Sequence, residues 1–264
     1  MPDFTIKTYT SLLSVLRERG YVFQTFAEFL KTPADKAIVL RHDVDARKEN
    51  SLRFARIQHS RGIVGSYYFR TVPQSYDFDI INEISALGHE IGYHYETMDF
   101  ESEKLRVKSE KWSAENLIDA AYEEFCRNLE MFRKIVPVET ICMHGSPRSK
   151  YDNKDIWKKY DYKKLGLIGE PYFDIDFSKV AYLTDTGRRW NGDKVSVRDK
   201  VVSPFSFNFM STSDIIKNIN LLPNQVMFTF HPQRWHDGMY EWTKEIMLQN
   251  LKNQIKYLLI KIKK

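Results

Sequence analysis

Five consecutive residues, Arg41-His42-Asp43-Val44-Asp45, hold the densest collection of chemically useful side chains in the chain. They follow Ala37-Ile38-Val39-Leu40, an apolar run of buried-strand length, and lead into Ala46-Arg47-Lys48-Glu49-Asn50, which reads as a helix start. Side chains alternate along a strand, so Asp43 and Asp45 face one way while His42 and Val44 face the other. Their attachment points then lie roughly 6 to 7 Å apart, so one carboxylate is able to bind a cation while the other moves protons. A pair of solvated aspartates capping the next helix is the competing reading. The wider chain favours chemistry, because His94, His144, Asp185 and His231 each close a short apolar segment of the same kind. In a parallel barrel the carboxyl ends of all strands share one rim, so these distant residues would converge. A single histidine of this sort is more readily structural than catalytic, but several strand ends carrying Asp or His point to a site.

Strands and helices alternate along the chain to position these residues. Helical spacing of Tyr9, Leu12, Leu13 and Leu16 marks residues 9–19, stopped by Gly20, and a second short helix covers residues 26–30. Residues 47–60 read as a helix, 63–69 as an aromatic-rich strand, 77–87 as a helix stopped at Gly88, and 90–94 as a third strand. The clearest helix carries Ile118, Ala121, Phe125, Leu129, Phe132 and Val136 on one stripe and is ended by Pro137. Residues 140–143 form a fourth strand that finishes in the turn signal His144-Gly145-Ser146-Pro147. Beyond it the spacing suggests a helix over 155–160, strands over 165–168 and 180–183, loop or hairpin over 191–204, a capped helix over 215–221 and a last strand over 225–230. A terminal helix over 241–262 is expected to pack on the barrel through Trp242, Ile246, Leu251, Ile255, Leu258 and Ile262. Lys256, Lys261, Lys263 and Lys264 offer a membrane surface as the alternative role for that helix. Repeated β-α-β units of this length favour parallel strands with right-handed crossovers.

The chain has 264 residues, 42% of them apolar and 14% aromatic, enough for one large core, so a single domain over residues 1–264 is expected. Forty basic residues against 35 acidic ones give a charge of +5, spread without a basic arm, which argues against nucleic-acid binding. Cys126 and Cys142 have no metal-ligand spacing and are expected to be reduced, buried thiols. The N-terminal Met-Pro-Asp-Phe-Thr-Ile-Lys lacks a signal-peptide core and no stretch has transmembrane length, so the cytoplasm is the expected location.

Asp43-Val44-Asp45 after the first long strand, Gly88-His89-Glu90-Ile91-Gly92-Tyr93-His94 after a helix, and a late apolar strand ending in His231 together resemble the polysaccharide deacetylase family, the NodB-homology group of carbohydrate esterases. The likeness runs from Ile38 to about Arg234, and Gly88-His89-Glu90-Ile91-Gly92 is its most specific piece. His94-Tyr95-Glu96, His144-Gly145-Ser146-Pro147 and Leu183-Thr184-Asp185-Thr186-Gly187 look like an intracellular branch associated with surface-polysaccharide synthesis. The resemblance implies an α/β fold, a distorted (β/α) barrel with about seven parallel strands. It also implies a divalent metal, usually zinc, and removal of acetyl groups from sugars or glycan precursors. In position, Asp43 matches the catalytic base, Asp45 a metal ligand, His94 the first metal histidine and His231 the catalytic acid, while His89 is structural.

This chain departs from the family at two places. The second metal histidine lies four residues after the first, and here that position is Met98, whose thioether suits zinc poorly beside carboxylate and imidazole. Either Glu96 or His144 completes the site, with Asp45, His94 and His144 the preferred metal set, or metal binding is weak or absent. The arginine that steadies the base is also displaced, leaving Arg41 or Arg148 for that task. Asp185, Arg188, Trp190 and Arg234 are candidates for sugar contacts or for ordinary loop ion pairs. A catalytically silent barrel that binds a glycan or a biosynthetic partner is the alternative reading, and an amide hydrolase for another small molecule is a third.

Overall fold

The computed structural model describes residues 2–108, 113–145, 150–190 and 201–262. Ser146, Pro147 and Arg148, most of the loop over 191–204, and Lys263 and Lys264 lie outside the described residues, as do the side chains of Ile255, Lys256, Leu258, Lys261 and Ile262. Among the described residues seven strands, β1 (Val22–Gln24), β2 (Ala37–Val44), β3 (Ser66–Phe69), β4 (Glu90–Tyr95), β5 (Ile141–Met143), β6 (Ala181–Thr184) and β7 (Gln225–Phe230), form one sheet. Its order is β5-β4-β3-β2-β7-β6, with β1 beside the first half of β2, and every pairing is parallel. The sheet curls into a half-barrel that stays open between β5 and β6, a distorted (β/α) barrel.

Local signals explain most of the helices. Helix α1 (Ile6–Glu18) opens on a capping box between Thr5 and Thr8 and buries Tyr9, Leu12, Leu13 and Leu16. The same device, Thr25 with Glu28, starts α2 (Phe26–Lys31). Helices α3 (Lys48–His59) and α4 (Phe78–Ala86) are the crossovers from β2 to β3 and from β3 to β4. After β4 come α5 (Thr97–Lys108) and α6 (Ala114–Arg133), the latter burying Leu117, Ala121, Phe125, Leu129 and Phe132 along one stripe. Short α7 (Pro171–Asp174) and α8 (Thr212–Lys217) precede β6 and β7, and α9 (Met239–Ile262) closes the chain.

Strand register creates two faces. Val39, Arg41 and Asp43 of β2 stand in line with Ser66 and Tyr68 of β3, Gly92 and His94 of β4, Cys142 of β5, and Met227 and Thr229 of β7. The lower part of this face, with Phe26 and Ile175, packs into an inner cluster around Tyr68, Cys142 and Met227. Gly92 is required here, because a Cβ at that position would overlap the Tyr68 ring. The opposite face, with Leu40, Val44, Tyr67, Phe69, Tyr93 and Phe230, forms the main core against α1, α3, α4 and α6. Apolar burial between sheet and helices drives the fold; the inner face is left to polar groups toward its carboxyl end.

Three expectations are corrected. Residues 165–168 are not a strand: Tyr162–Leu165 is a 3-10 helix, and only an isolated bridge joins Thr140 to Gly169. The seventh strand is instead β1, too short at three residues to carry a visible alternation. In α9, Leu251 does not pack on the barrel but is 55% exposed, while the polar Glu245 and Gln249 are buried.

Candidate active site

At the carboxyl ends of β2, β4, β5 and β7, the structure brings Asp43, Asp45, His94, His144 and His231 together. Asp43 sits in the last turn of β2 and is 3% exposed. Arg41, two residues earlier on the same face, donates Nε to Asp43 Oδ1 at 2.8 Å and Nη2 to Oδ2 at 2.6 Å. This is the two-pronged arginine–carboxylate geometry that fixes a carboxyl plane, and it gives Arg41 the steadying position expected of either Arg41 or Arg148. The Arg41 guanidinium also donates to the Tyr172 hydroxyl at 3.2 Å.

Asp45 lies just past β2 and occupies the centre. Its Oδ1 is 3.6 Å from His94 Nε2 and 3.6 Å from His144 Nε2, and its Oδ2 is 3.9 Å from His231 Nε2. Gln233 donates Nε2 to Oδ2 at 3.0 Å, whereas the buried Oδ1 has no hydrogen-bond partner. Burial alone would raise the Asp45 pKa, but His94, His144 and His231 outweigh it and hold the carboxyl well below its ordinary value.

Backbone and carboxylate partners aim the three imidazoles. His94 Nδ1 lies 2.9 Å from the Cys142 carbonyl oxygen, so Nδ1 carries the proton and Nε2 presents a lone pair toward Asp45 and Asp43. His144 Nδ1 is 3.0 Å from Glu96 Oε2, a contact whose angle falls outside hydrogen-bond geometry. Burial pulls the His144 pKa down, yet Glu96 and Asp45 together raise it above the ordinary histidine value. Glu96 shares the His94 face as alternation requires, but both its oxygens are taken by Arg70, at 2.7 and 2.6 Å. Arg70 also donates to the Asp45 carbonyl oxygen at 3.2 Å. His231 Nδ1 donates to Asp185 Oδ1 at 2.5 Å, leaving Nε2 directed at the centre.

Asp185 is fully buried and accepts from the His231 amide, from Arg234 at 3.1 Å and from the Trp235 indole at 2.7 Å. Burial would raise its pKa, and His231 with Arg234 overrides that and lowers it. Asp185 and Arg234 are therefore not sugar contacts: they hold His231. Arg188 lies between the Phe4 and Trp242 rings and Trp190 is 4% exposed in the main core, so neither offers a sugar-binding surface. Met98 is 1% exposed in that core as well, pointing away from the polar cluster. Both cysteines are free thiols, Cys142 buried and Cys126 partly so.

Sequence reasoning missed Arg70, Gln233 and Tyr172. Alternation from Tyr68 would have put Arg70 on the site face; no local pattern marks Gln233 or Tyr172. Among the described residues, two groups place ligand-type atoms within 4.8 Å of one another: Asp43, His94 and Cys142, and Glu96, Asp99 and His144. In each a carboxylate is already paired with an arginine, Asp43 with Arg41 and Glu96 with Arg70. Asp45 Oδ1 differs in having none.

No family model and no curated protein matches the chain. Among solved structures it resembles a mutant of a CE4 family pseudoenzyme with restored enzymatic activity, at 11% identity and a TM-score of 0.41, over 85% of this chain and 64% of that one. A family 4 carbohydrate esterase from Bacillus anthracis matches at 12% identity and 0.40, over 97% and 91% of the two chains. The Xyl-CE4 domain of a multidomain xylanase from the hindgut metagenome of Trinervitermes trinervoides matches at 12% and 0.36, over 84% and 85%. The chain thus spans under two thirds of the first of these structures. Likenesses this loose assign it neither a family nor an activity.

Proposed function

We propose that the chain is a metal-dependent hydrolase that removes acetyl groups from N-acetylated sugars or polysaccharide precursors, working in the cytoplasm. Asp43 is the base, His231 the acid, and Asp45, His94 and His144 hold the metal. Asp45 Oδ1 carries this reading: a buried carboxylate oxygen without a hydrogen-bond partner, 3.6 Å from Nε2 of two imidazoles. Leaving such an oxygen unpaired is unfavourable, and a cation shared with the two imidazoles would relieve it. Two histidines and a carboxylate are also a donor set that suits zinc at a catalytic site with an open position. A divalent cation there supplies Lewis acidity toward an acyl oxygen and makes water a better nucleophile at neutral pH.

The protein's own groups do the rest. Asp43, held in one plane by Arg41, accepts the proton of the attacking water. His231, whose Nδ1 proton is committed to Asp185, works at Nε2 and delivers a proton to the departing amine as the carbon–nitrogen bond breaks. Acetate and the free amino sugar leave. The near-complete burial of Asp43 and His94 keeps the local dielectric low, which strengthens each of these interactions.

Acetate release from N-acetylated oligosaccharides, measured with added zinc or cobalt, tests the reading. Wild type is expected to turn over, and Asp43→Asn to lose roughly 10²–10⁴-fold while keeping its metal. Full activity in Asp43→Asn would remove Asp43 as the base. Bound metal with no turnover on any acetylated sugar would favour the silent glycan-binding barrel.

A further inference from the structure

Helix α9 turns polar side chains inward beside the half-buried Trp242 and Ile246, while large apolar side chains on its other side stay exposed. Its inward side carries Glu245 and Gln249, 8% and 4% exposed, and Asn253, which donates to the Gly187 carbonyl oxygen at 2.9 Å. Its outward side carries Tyr240, Met247, Leu248 and Leu251, each between 42% and 72% exposed. Apolar side chains facing water along three turns of one helix mark a surface that something else covers. Charge indicates what. From Leu251 to the last residue the sequence has Lys252, Lys256, Lys261, Lys263 and Lys264 and no acidic residue, interleaved with Ile255, Leu258, Leu259, Ile260 and Ile262. A segment of this composition, apolar and basic without an acidic residue, suits an anionic lipid surface, which accepts both the apolar side chains and the charge, better than a second copy of the same basic segment. Among the described residues no helix is long and apolar enough to cross a membrane, so the contact would lie along the interface.

We infer that the outward face of α9 is a docking surface for anionic membrane lipid. Trp242 at the inner side of α9 accepts from Arg188 through its backbone, and Asn253 holds Gly187, so the helix is fixed to the loop that follows β6 and supports Asp185. This inference does not depend on the reaction proposed above.

The test is sedimentation of the purified full chain with vesicles of phosphatidylcholine alone or with about a third phosphatidylglycerol, together with sedimentation velocity without lipid. Binding is expected only to the anionic vesicles, weakened by high salt. Leu248→Gln/Leu251→Gln and Lys252→Ser/Lys256→Ser should each reduce it at least about tenfold, each lysine near an anionic surface being worth about fivefold. Leu248 and Leu251 are exposed, so unchanged thermal unfolding of the variants is expected and separates lost docking from lost folding. A concentration-dependent dimer abolished by Leu248→Gln/Leu251→Gln, without vesicle binding, would assign the face to a second copy and overturn the inference. A monomer that ignores both kinds of vesicle would overturn it too.

Discussion

Asp43 and Asp45 belong to one strand end but have different neighbours, and the neighbours divide the work. Arg41 fills both oxygens of Asp43, so that carboxylate is fixed in place; Asp45 keeps one oxygen unpaired among imidazoles. The same logic separates the histidines. His231 depends on Asp185, and Asp185→Asn, which keeps the shape but removes the charge that sets the imidazole, is expected to lower kcat roughly 10²–10⁴-fold with little change in bound metal. An unaltered kcat in steady-state assays would contradict the role of Asp185. Glu96 Oε2 lies 3.0 Å from His144 Nδ1 while Arg70 holds it in place, and in the proposed metal site it would be the carboxylate that steadies a ligand histidine. Glu96→Ala should weaken metal binding about 10- to 100-fold in a chelator competition assay, and wild-type affinity would show that Glu96 does not orient His144. Alternation along β2 and β4 made the facing of Asp43, Asp45, His94 and Glu96 legible in the sequence. It could not reveal Arg70 as the partner of Glu96, or turn Asp185 from a sugar contact into the support of His231, because those pairings join different strands.

At the scale of elements, the outer face of β2 carries a polar residue that the site does not use. His42 Nδ1 donates to the Ser66 carbonyl oxygen at 3.1 Å and Nε2 accepts from Gln58 at 2.9 Å, between β2 and α3. Burial pushes its pKa down to about 3. His89, before β4, accepts from the Gly65 amide and donates to the Ala55 carbonyl oxygen, and burial lowers it to about 4. Both are neutral in the fold and charge in the unfolded chain near pH 6.5. The unfolded state therefore binds more protons below that pH, and stability is full above it and falls as the pH drops toward the folded values. Between pH 7 and pH 5 each should remove roughly 2 kcal/mol, measurable by urea unfolding, with a shallower slope in His42→Gln; a flat profile would contradict the buried neutral assignment. The β-α-β alternation that places these elements was readable because each crossover has an apolar stripe and a stop such as Gly62 or Gly88. Three-residue β1 and the 3-10 turn Tyr162–Leu165 were not, since such short segments bury too few side chains to leave a period, whereas the helix expected over 155–160 is the 3-10 helix Asn153–Lys158. The terminal helix was legible in part: Trp242 and Ile246 of its expected stripe are half-buried, whereas Leu251 faces out.

For the whole molecule, parallel strand direction is the decisive property. It carries the ends of β2, β4, β5 and β7 to one rim, so residues separated by up to 188 positions, Asp45 and Gln233, meet within a hydrogen bond. That convergence was legible as a list of strands ending in Asp or His, while the 3.6 Å distances from Asp45 Oδ1 to His94 and His144 required the sheet order. The measurement that tests the account most directly is elemental analysis of the untagged protein after exposure to zinc, for wild type, His94→Ala, His144→Ala and Glu96→Ala. Near-stoichiometric zinc in wild type, lost in His94→Ala and His144→Ala and only weakened in Glu96→Ala, is the predicted result. Zinc retained in His144→Ala, or no metal in wild type even with zinc, cobalt or nickel supplied, would contradict the site centred on Asp45.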